Sequence, residues 1–286
     1  MMVPFLDFSL IANNVELIDG IWYSKQGLNI SYPEEGNSTF FQLEDNSFWF
    51  EHRNSVIVEV IRKFPPPGGE YLLDVGGGNG FVASAIEKNG INAILVEPGR
   101  TGILNAKKRG VNNLVCSSLE DLQINESSIP AIGLFDVLEH IEMDKDFLVQ
   151  IYKTLKFKGR VYLTVPAYNF LWSGEDIYAG HYRRYNLDTI TAIFKEAGFL
   201  IEYKTYFFSI LPFPVFIFRS LPFKMGLGRN GKNINKKADD HSKREGITGR
   251  ILDRIWSWEE RKIMKSEIIP FGGSCLIVAK KPANKK

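Results

Sequence analysis

Apolar and polar positions along this chain fall into short apolar runs separated by stretches with helical spacing. Apolar runs bounded by turn residues predict strands at Tyr71–Val75, Asn92–Val96, Asn113–Cys116, Ala131–Phe135, Arg160–Val165, Phe199–Phe207 and Ser274–Ala279. A helix is expected over about 51–63, stopped by the breaker Pro65-Pro66-Pro67-Gly68-Gly69. Others are expected at Phe81–Lys88, ended by Gly90, and at Thr101–Arg109, ended by Gly110. Asp144 can cap a helix whose apolar face is Phe147, Leu148, Ile151 and Leu155. Asn186 can cap another with Leu187, Ile190, Ile193, Phe194 and Ala197 inward, ended by Gly198. Strands alternating with helices at this spacing predict an α/β fold, a parallel sheet with helices on both faces.

Both ends break the pattern. Residues 1–50 are aromatic-rich and irregular, with turn signals at Pro33 and Gly36, and read as a cap region. Residues 207–223 are apolar, but Pro212, Pro214, Pro222 and Arg219 interrupt them. A membrane span needs roughly 20 apolar residues, so no span is expected there. Residues 224–250 carry eight basic side chains against three acidic ones, and a helix is expected near 249–266. The chain therefore divides into a cap (1–50), a core (51–210), an insertion or lid (211–270), and a final strand with a basic tail (271–286).

Composition narrows the class. The chain has 286 residues, 44% hydrophobic and 24% charged, which suits a globular core. A net charge of +2 gives no reason to expect a nucleic-acid partner. Cys116 and Cys275 form no C-x-x-C motif, and His52, His140, His181 and His241 show no metal-ligand spacing, so no metal is expected. The start, Met1-Met2-Val3-Pro4-Phe5-Leu6-Asp7, lacks a basic n-region and a long apolar core, and a cytoplasmic setting is expected.

The chemistry concentrates at Leu72-Leu73-Asp74-Val75-Gly76-Gly77-Gly78-Asn79-Gly80. A strand runs through an acid into a turn with four glycines, and a helix follows at once. Such a turn brings backbone close to a nucleotide-like ligand at the carboxyl end of a parallel strand. A dinucleotide fingerprint fails from Gly76, where Phe81 occupies the third small position. It fits from Gly78 through Gly80 and Ala83, but leaves Asp74 unexplained. The alternative, D-x-G-x-G-x-G over Asp74, Gly76, Gly78 and Gly80, resembles the first motif of class I S-adenosylmethionine methyltransferases. Glu97 ends the next strand, where a carboxylate can accept both ribose hydroxyls, and this serves either ligand.

Phe135-Asp136-Val137-Leu138-Glu139-His140 after the fourth strand, then a helix and Leu155–Pro166, extends the resemblance to small-molecule methyltransferases of this class over about 45–210 and 274–279. Two departures, Phe157 for a usual Pro and Arg160 for a usual Gly, fall in the turn before strand five. Thr164–Ser173, Gly180–Tyr185 and Phe48–Asn54 are similar to a bacterial subgroup linked with polysaccharide and glycolipid pathways. The resemblance implies a Rossmann-like, seven-stranded, mostly parallel sheet whose last strand is antiparallel, with an N-terminal cap and a C-terminal helical, basic insertion. It implies S-adenosylmethionine as donor and S-adenosylhomocysteine as product. The donor would be held by Trp49, Arg53, Asp74, Gly76, Gly78, Glu97, Ser118, Leu119, Phe135 and Asp136. Ser118 stands where Asp is common in the adenine-lining segment, so Glu120 or Asp121 is a candidate substitute. Trp49 and Arg53 would lie near the methionyl end, where an aromatic face attracts a sulfonium.

Methyl transfer is an in-line displacement that mainly needs alignment, plus a base if the acceptor atom is oxygen. His181 and His140 are the catalytic candidates, because imidazole titrates near neutrality. Tyr168, Trp172, His181, Arg184 and Tyr185 are the acceptor candidates; a guanidinium such as Arg184 or Arg183 suits a phosphate or carboxylate. The aromatic segment from Tyr206 to Phe218 reads as a core contact, a lid, or a membrane-facing patch, with 206–244 as the stretch for a peripheral contact at the inner face of the membrane. The expected function is methyl transfer to a small-molecule, glycan-like or lipid-linked acceptor, at oxygen. A nicotinamide oxidoreductase and a non-catalytic binding protein of the same fold are the alternatives.

Overall fold

The computed structural model describes residues 6–25, 41, 43–45, 47–227 and 247–283. The strands are β1 (Val15–Ile18), β2 (Ile21–Ser24), β3 (Leu72–Val75), β4 (Ala93–Val96), β5 (Leu114–Cys116), β6 (Ile129–Phe135), β7 (Leu155–Pro166), β8 (Leu200–Phe207) and β9 (Ser274–Lys280). They form one sheet in the order β1-β2-β5-β4-β3-β6-β7-β9-β8. From β5 to β8 all neighbours are parallel except β9, which runs antiparallel to both β7 and β8. The expected seven strands are therefore present, and β9 inserts itself inside the edge strand.

Two further strands correct the irregular reading of the N-terminal region. Val15–Ile18 and Ile21–Ser24 form a hairpin, and Trp22 and Tyr23 pair in parallel with Val115 and Cys116 of β5. The turn is Asp19-Gly20, with φ of 51° and 77°. A two-residue Asp-Gly loop adopts positive φ at both positions, which matches the twist of the flanking strands. The expected cap residues 26–40, 42 and 46 lie outside the described residues.

The helices that position the site are α1 (Phe48–Lys63), α2 (Phe81–Lys88), α3 (Arg100–Lys108), α4 (Asp144–Thr154), α5 (Gly174–Ala179) and α6 (Leu187–Glu196). As expected, Asn186 caps α6, accepting from the N–H groups of Asp188 and Thr189 at 3.0 and 2.8 Å; such a cap is worth about 1 kcal/mol. Asp144 is instead the first residue of α4, not its cap. Every residue of β3, β4 and β6 is buried, as a parallel sheet covered on both faces requires. Two apolar clusters lie on opposite faces, one centred on Leu73, Ile132 and Leu163, the other on Leu72, Leu95 and Val278.

The proline-broken apolar segment is helical: α7 (Pro212–Val215), a π turn (Phe216–Ser220) and α8 (Leu221–Lys224) run end to end. Pro212 and Pro222 sit in first-turn positions, where the missing N–H is harmless. A last helix, α9 (Ile247–Met264), lies against α1, with Trp256 stacked on His52 at 4.4 Å. Among the described residues no helix is long and apolar enough to cross a membrane. Most of the basic run, including Arg229, Lys232, Lys236, Lys237, Lys243 and Arg244, lies outside the described residues.

Candidate functional site

The strand order reverses at β3, which lies between β4 and β6. In open α/β sheets ligands settle at the carboxyl ends of strands at such a switch point. Asp74 and the glycine turn leave β3 there, Glu97 leaves β4, and Asp136 leaves β6.

The turn is fixed by its own packing. Gly76, Gly78 and Gly80 take φ of 69°, 54° and 73°. A Cβ at Gly77 would lie 2.1 Å from Leu95 Cδ1, and one at Gly80 would lie 2.6 Å from Ala106 Cβ. The glycines are therefore required by the sheet and α3 before any ligand is considered. Glu97 locks the turn, its carboxylate oxygens accepting from Gly78 N at 3.0 Å and Gly99 N at 2.8 Å.

Asp74 is 1% exposed, and its Oδ2 finds no hydrogen-bond partner among the described residues. Burial pushes its pKa up to about 7; nearby Arg53 opposes the shift and Glu97 adds to it. Burial also raises Glu97, against the two glycine N–H bonds. Two buried carboxylates, one with an orphan oxygen, form a site short of positive charge. That chemistry fits S-adenosylmethionine, whose ammonium and sulfonium are cationic and whose ribose offers hydroxyl donors. Asp74 and Glu97 would hold it.

The other expected donor residues divide. Arg53 Nε lies 2.7 Å from Asp136 Oδ2, and its Nη2 donates to the Phe135 carbonyl at 2.8 Å. Trp49 stacks on Phe208 at 5.3 Å, and the cation over its ring is Arg53, at 5.4 Å. Asp136 has φ of 58° and accepts from Thr164 Oγ1 at 3.1 Å, a strained conformation of the kind that gathers at functional sites. Phe135 contributes its carbonyl; its ring folds over Gly133, where a Cβ would lie 2.4 Å from it. The Ser118 hydroxyl donates to Asp121 at 2.8 Å, so Asp121 is brought to the expected adenine segment, and Leu119 is buried.

Beyond Asp136 opens a pocket of about 290 Å³. Asp136, Glu139, His140, His181 and Arg184 line its polar side; Phe208, Leu211, Pro212 and Val215 line its apolar side. Asp176 organises the polar side. It is 1% exposed and takes His181 Nδ1 at 2.9 Å, Arg184 Nε at 2.7 Å and Ser173 N at 2.9 Å. Burial works against its ionisation, yet the bonds from His181 and Arg184 hold its pKa down at about 2. The rings of His140 and His181 meet edge to face at 4.7 Å. Burial, reinforced by His181, lowers the His140 pKa to about 4.

Three expected acceptor residues lie outside the pocket lining. Tyr168 stacks between Tyr206 and Phe271, at 5.0 and 5.2 Å. Tyr185 is a correction: it is 5% exposed, and its hydroxyl donates to Asp144 at 2.8 Å, so it anchors its loop to α4. Trp172 is half-buried and not part of the wall. Arg183 pairs with the same Asp144 at 2.7 Å. Pocket residues not read from the sequence as site residues are Asp176, Glu139, and Arg219, which donates to Glu175 at 2.8 Å at the pocket edge. Asp176 had a signal, since Ser173-x-x-Asp176 is a capping box and starts α5.

Comparison with known proteins agrees with this fold. The family model described as a methyltransferase domain matches residues 49–204, more than half of the chain, and the chain belongs to that family. A probable S-adenosylmethionine-dependent methyltransferase of Mycobacterium tuberculosis is 24% identical over 168 residues, covering 58% of this chain and 60% of that protein. The mitochondrial ubiquinone biosynthesis O-methyltransferase of Schizosaccharomyces pombe is 27% identical over 138 residues, covering 46% of this chain and 48% of that one. The chain thus spans 60% or less of the length of these relatives. Among solved structures, the methyltransferase bound to the Trm112 activator of Haloferax volcanii superposes with a TM-score of 0.57 at 14% identity, over 89% of this chain and 100% of that one. Phosphoethanolamine N-methyltransferase 2 of Haemonchus contortus gives 0.54 at 19% identity, over 87% of this chain and 57% of that one. At such identities the superpositions establish the fold alone.

Proposed function

We propose that the protein transfers a methyl group from S-adenosylmethionine to an oxygen of a small, amphipathic acceptor. The observation that carries this reading is the buried Asp74 carboxylate, with an orphan oxygen, beneath a glycine turn whose neighbour strand opens through Asp136 into a second pocket. Bound donor supplies a methyl already activated by positive sulfur. Asp74 and Glu97 hold its cationic and ribose groups, and Arg53 keeps Asp136 in place between donor and acceptor. The acceptor hydroxyl is received by His140 and His181, with Asp176 fixing the His181 ring. Leu211, Pro212 and Val215 take the apolar part of the acceptor. The kinship to ubiquinone biosynthesis O-methyltransferases supports oxygen as the acceptor atom.

Calorimetry with S-adenosylhomocysteine, S-adenosylmethionine and NAD tests the donor half. Preference for NAD, or no nucleoside binding, overturns the reading. Mass analysis of native-cell extracts incubated with enzyme and donor tests the acceptor half; the expected product gains one CH2 on oxygen.

A specific observation favours an acceptor presented at a lipid surface. Phe213, Ile217 and Phe218 are exposed on the same helical segment whose Pro212 and Val215 line the pocket, and Met225 and Leu227 are exposed just beyond its end. Exposed apolar side chains at a pocket rim suit a peripheral, glycolipid-facing contact. Flotation with vesicles containing anionic lipid is expected to recover the protein, and its absence with every vesicle composition would remove the membrane contact.

A further inference from the structure

Glu139, His140 and His181 offer three ligand atoms that all lie within 4.8 Å of one another, at the wall of the acceptor pocket. We infer that these three side chains form a binding site for one divalent transition-metal ion of the zinc class. Two imidazoles and one carboxylate suit such an ion, not the all-oxygen preference of magnesium or calcium. Ligand arms of about 2.0–2.2 Å bring tetrahedral ligands to roughly 3.4 Å apart, so the set closes by small side-chain adjustments.

Glu139 is the independent pointer. It is 1% exposed, and its Oε2 is buried with no hydrogen-bond partner among the described residues. Two guanidinium groups stand nearby, but each is matched to another carboxylate. Arg53 is held by Asp136 at 2.7 Å and Arg184 by Asp176 at 2.7 Å. Glu139 is thus the carboxylate of this pocket whose charge no arginine pairs with directly. A buried carboxylate in that position asks for a cation or a proton.

The outer contacts are those of a metal centre. His181 Nδ1 is bonded to Asp176 at 2.9 Å, the carboxylate–histidine arrangement that fixes ring orientation and leaves Nε2 as the ligating nitrogen. The His140 ring bonds the backbone of Gly180, at the end of α5. The main chain of Glu139 is held too, its carbonyl accepting from Tyr182 N at 2.8 Å. The loop that carries His181 is therefore stitched to the segment that carries Glu139 and His140. Three protein ligands leave a coordination position open toward the pocket. This role rests on the O-methylation reading: an ion held by these residues would supply a Lewis acid that lowers the pKa of the acceptor hydroxyl, whose proton would leave to water. The histidines then act through the ion.

The test is a titration of chelator-treated, dialysed protein with Zn2+ by calorimetry, and with Co2+ by visible absorption, with Mg2+ as control. One equivalent per chain is expected, with cobalt bands of a four- or five-coordinate site and no response to Mg2+. Glu139→Gln and His181→Gln should each weaken Zn2+ binding by about 10-fold or more. S-adenosylhomocysteine affinity and melting temperature serve as the control that the variants are folded. No stoichiometric binding by the wild-type chain, or equal binding by both folded variants, overturns the site. Failure of S-adenosylhomocysteine to bind would instead overturn the methyl-transfer reading and leave the metal titration to decide this site alone.

Discussion

The proposed donor half and the proposed acceptor half of this site are built in opposite ways. In the donor half, Asp74, Gly76, Gly78 and Gly80 follow one another on one strand end, and Glu97 closes them with bonds to backbone N–H groups at 2.8 and 3.0 Å. In the acceptor half, the groups are joined by side chains: Arg184 and His181 to Asp176 within one short segment, and Arg219 to Glu175 across 44 residues, with the Arg53–Asp136 pair at the border of the two halves. Backbone-built sites tolerate little variation, because glycine conformation and strand ends fix them. Side-chain-built sites can be refitted to a new acceptor without touching the sheet.

The sharpest way to break this contrast is at Asp74. Asp74→Asn should lower S-adenosylhomocysteine affinity by roughly 100-fold, since truncating one member of a buried charge pair weakens binding by about 2–5 kcal/mol. The fold should not suffer. A raised carboxyl pKa favours the folded state at low pH, and that contribution is lost as pH rises from the ordinary 3.8 through about 7. Wild-type stability should therefore fall relative to the variant over that interval, read by denaturant melts at several pH values. Equal affinity in the variant would remove Asp74 from the donor site.

Asp176→Asn should do the reverse. It leaves Arg184 and His181 without their buried carboxylate, and breaking such a pair destabilises by about 3–5 kcal/mol. Donor affinity should hold in the molecules that remain folded, while methyl transfer is lost. A variant that bound donor poorly at temperatures well below its melt would mean the two halves are one unit.

The same contrast explains what could be read in advance. The seven-stranded core and the glycine turn after β3 were legible because consecutive residues carry each of them. The hairpin at Asp19-Gly20 was not legible, because its strands are only four residues each and give too short an alternation to stand out from an irregular cap. The acceptor half was not legible. Nothing in the spacing of His140 and His181 brings their rings to 4.7 Å; the loop bonds of Tyr182 to Glu139 and His181 to Asp176 do that. An aromatic in such a loop is as readily an anchor as a contact, and Tyr185 anchors its loop to Asp144. Asp176 was hidden because a helix-capping acid looks the same whether or not it also faces a pocket.

Away from the site, His52 ties α1 to α9: its Nε2 lies 2.9 Å from Glu259 and its Nδ1 3.4 Å from Glu260. Burial alone would lower the His52 pKa, but the two glutamates outweigh it and hold it above the usual value. Burial opposes, and the bonds from His52 and Ser209 enforce, a lowered Glu259. The histidine contribution is full below its ordinary 6.5 and fades as pH rises through the folded value. The Glu259 contribution is full above its ordinary 4.5 and fades as pH falls through its folded value. Docking of α9 should therefore be firmest between those limits. Glu259→Gln should flatten the profile and lower stability by about 1–3 kcal/mol, through lost bonds to Phe208 N and Ser209 N. A melt profile unchanged in shape would show that His52 stays neutral in the fold.

The smallest effect on the fold is expected at the exposed side chains of the helical segment Pro212–Lys224, and that is what makes it informative. Phe218 is 76% exposed, and Phe213 is 63% exposed with one tilted ring contact, to Phe271 at 5.9 Å. Phe218→Ser should change stability by no more than about 0.5 kcal/mol, as surface substitutions do. Donor affinity should be unchanged, because residue 218 is outside the pocket lining. If this helical segment meets a lipid surface, flotation with anionic vesicles should fall several-fold in this variant, since each apolar side chain removed from the boundary weakens attachment. A loss of flotation with no change in melting or donor binding would place the acceptor half at a membrane surface while the donor half stays in water. Unchanged flotation would confine the apolar acceptor contact to Leu211, Pro212 and Val215 inside the pocket.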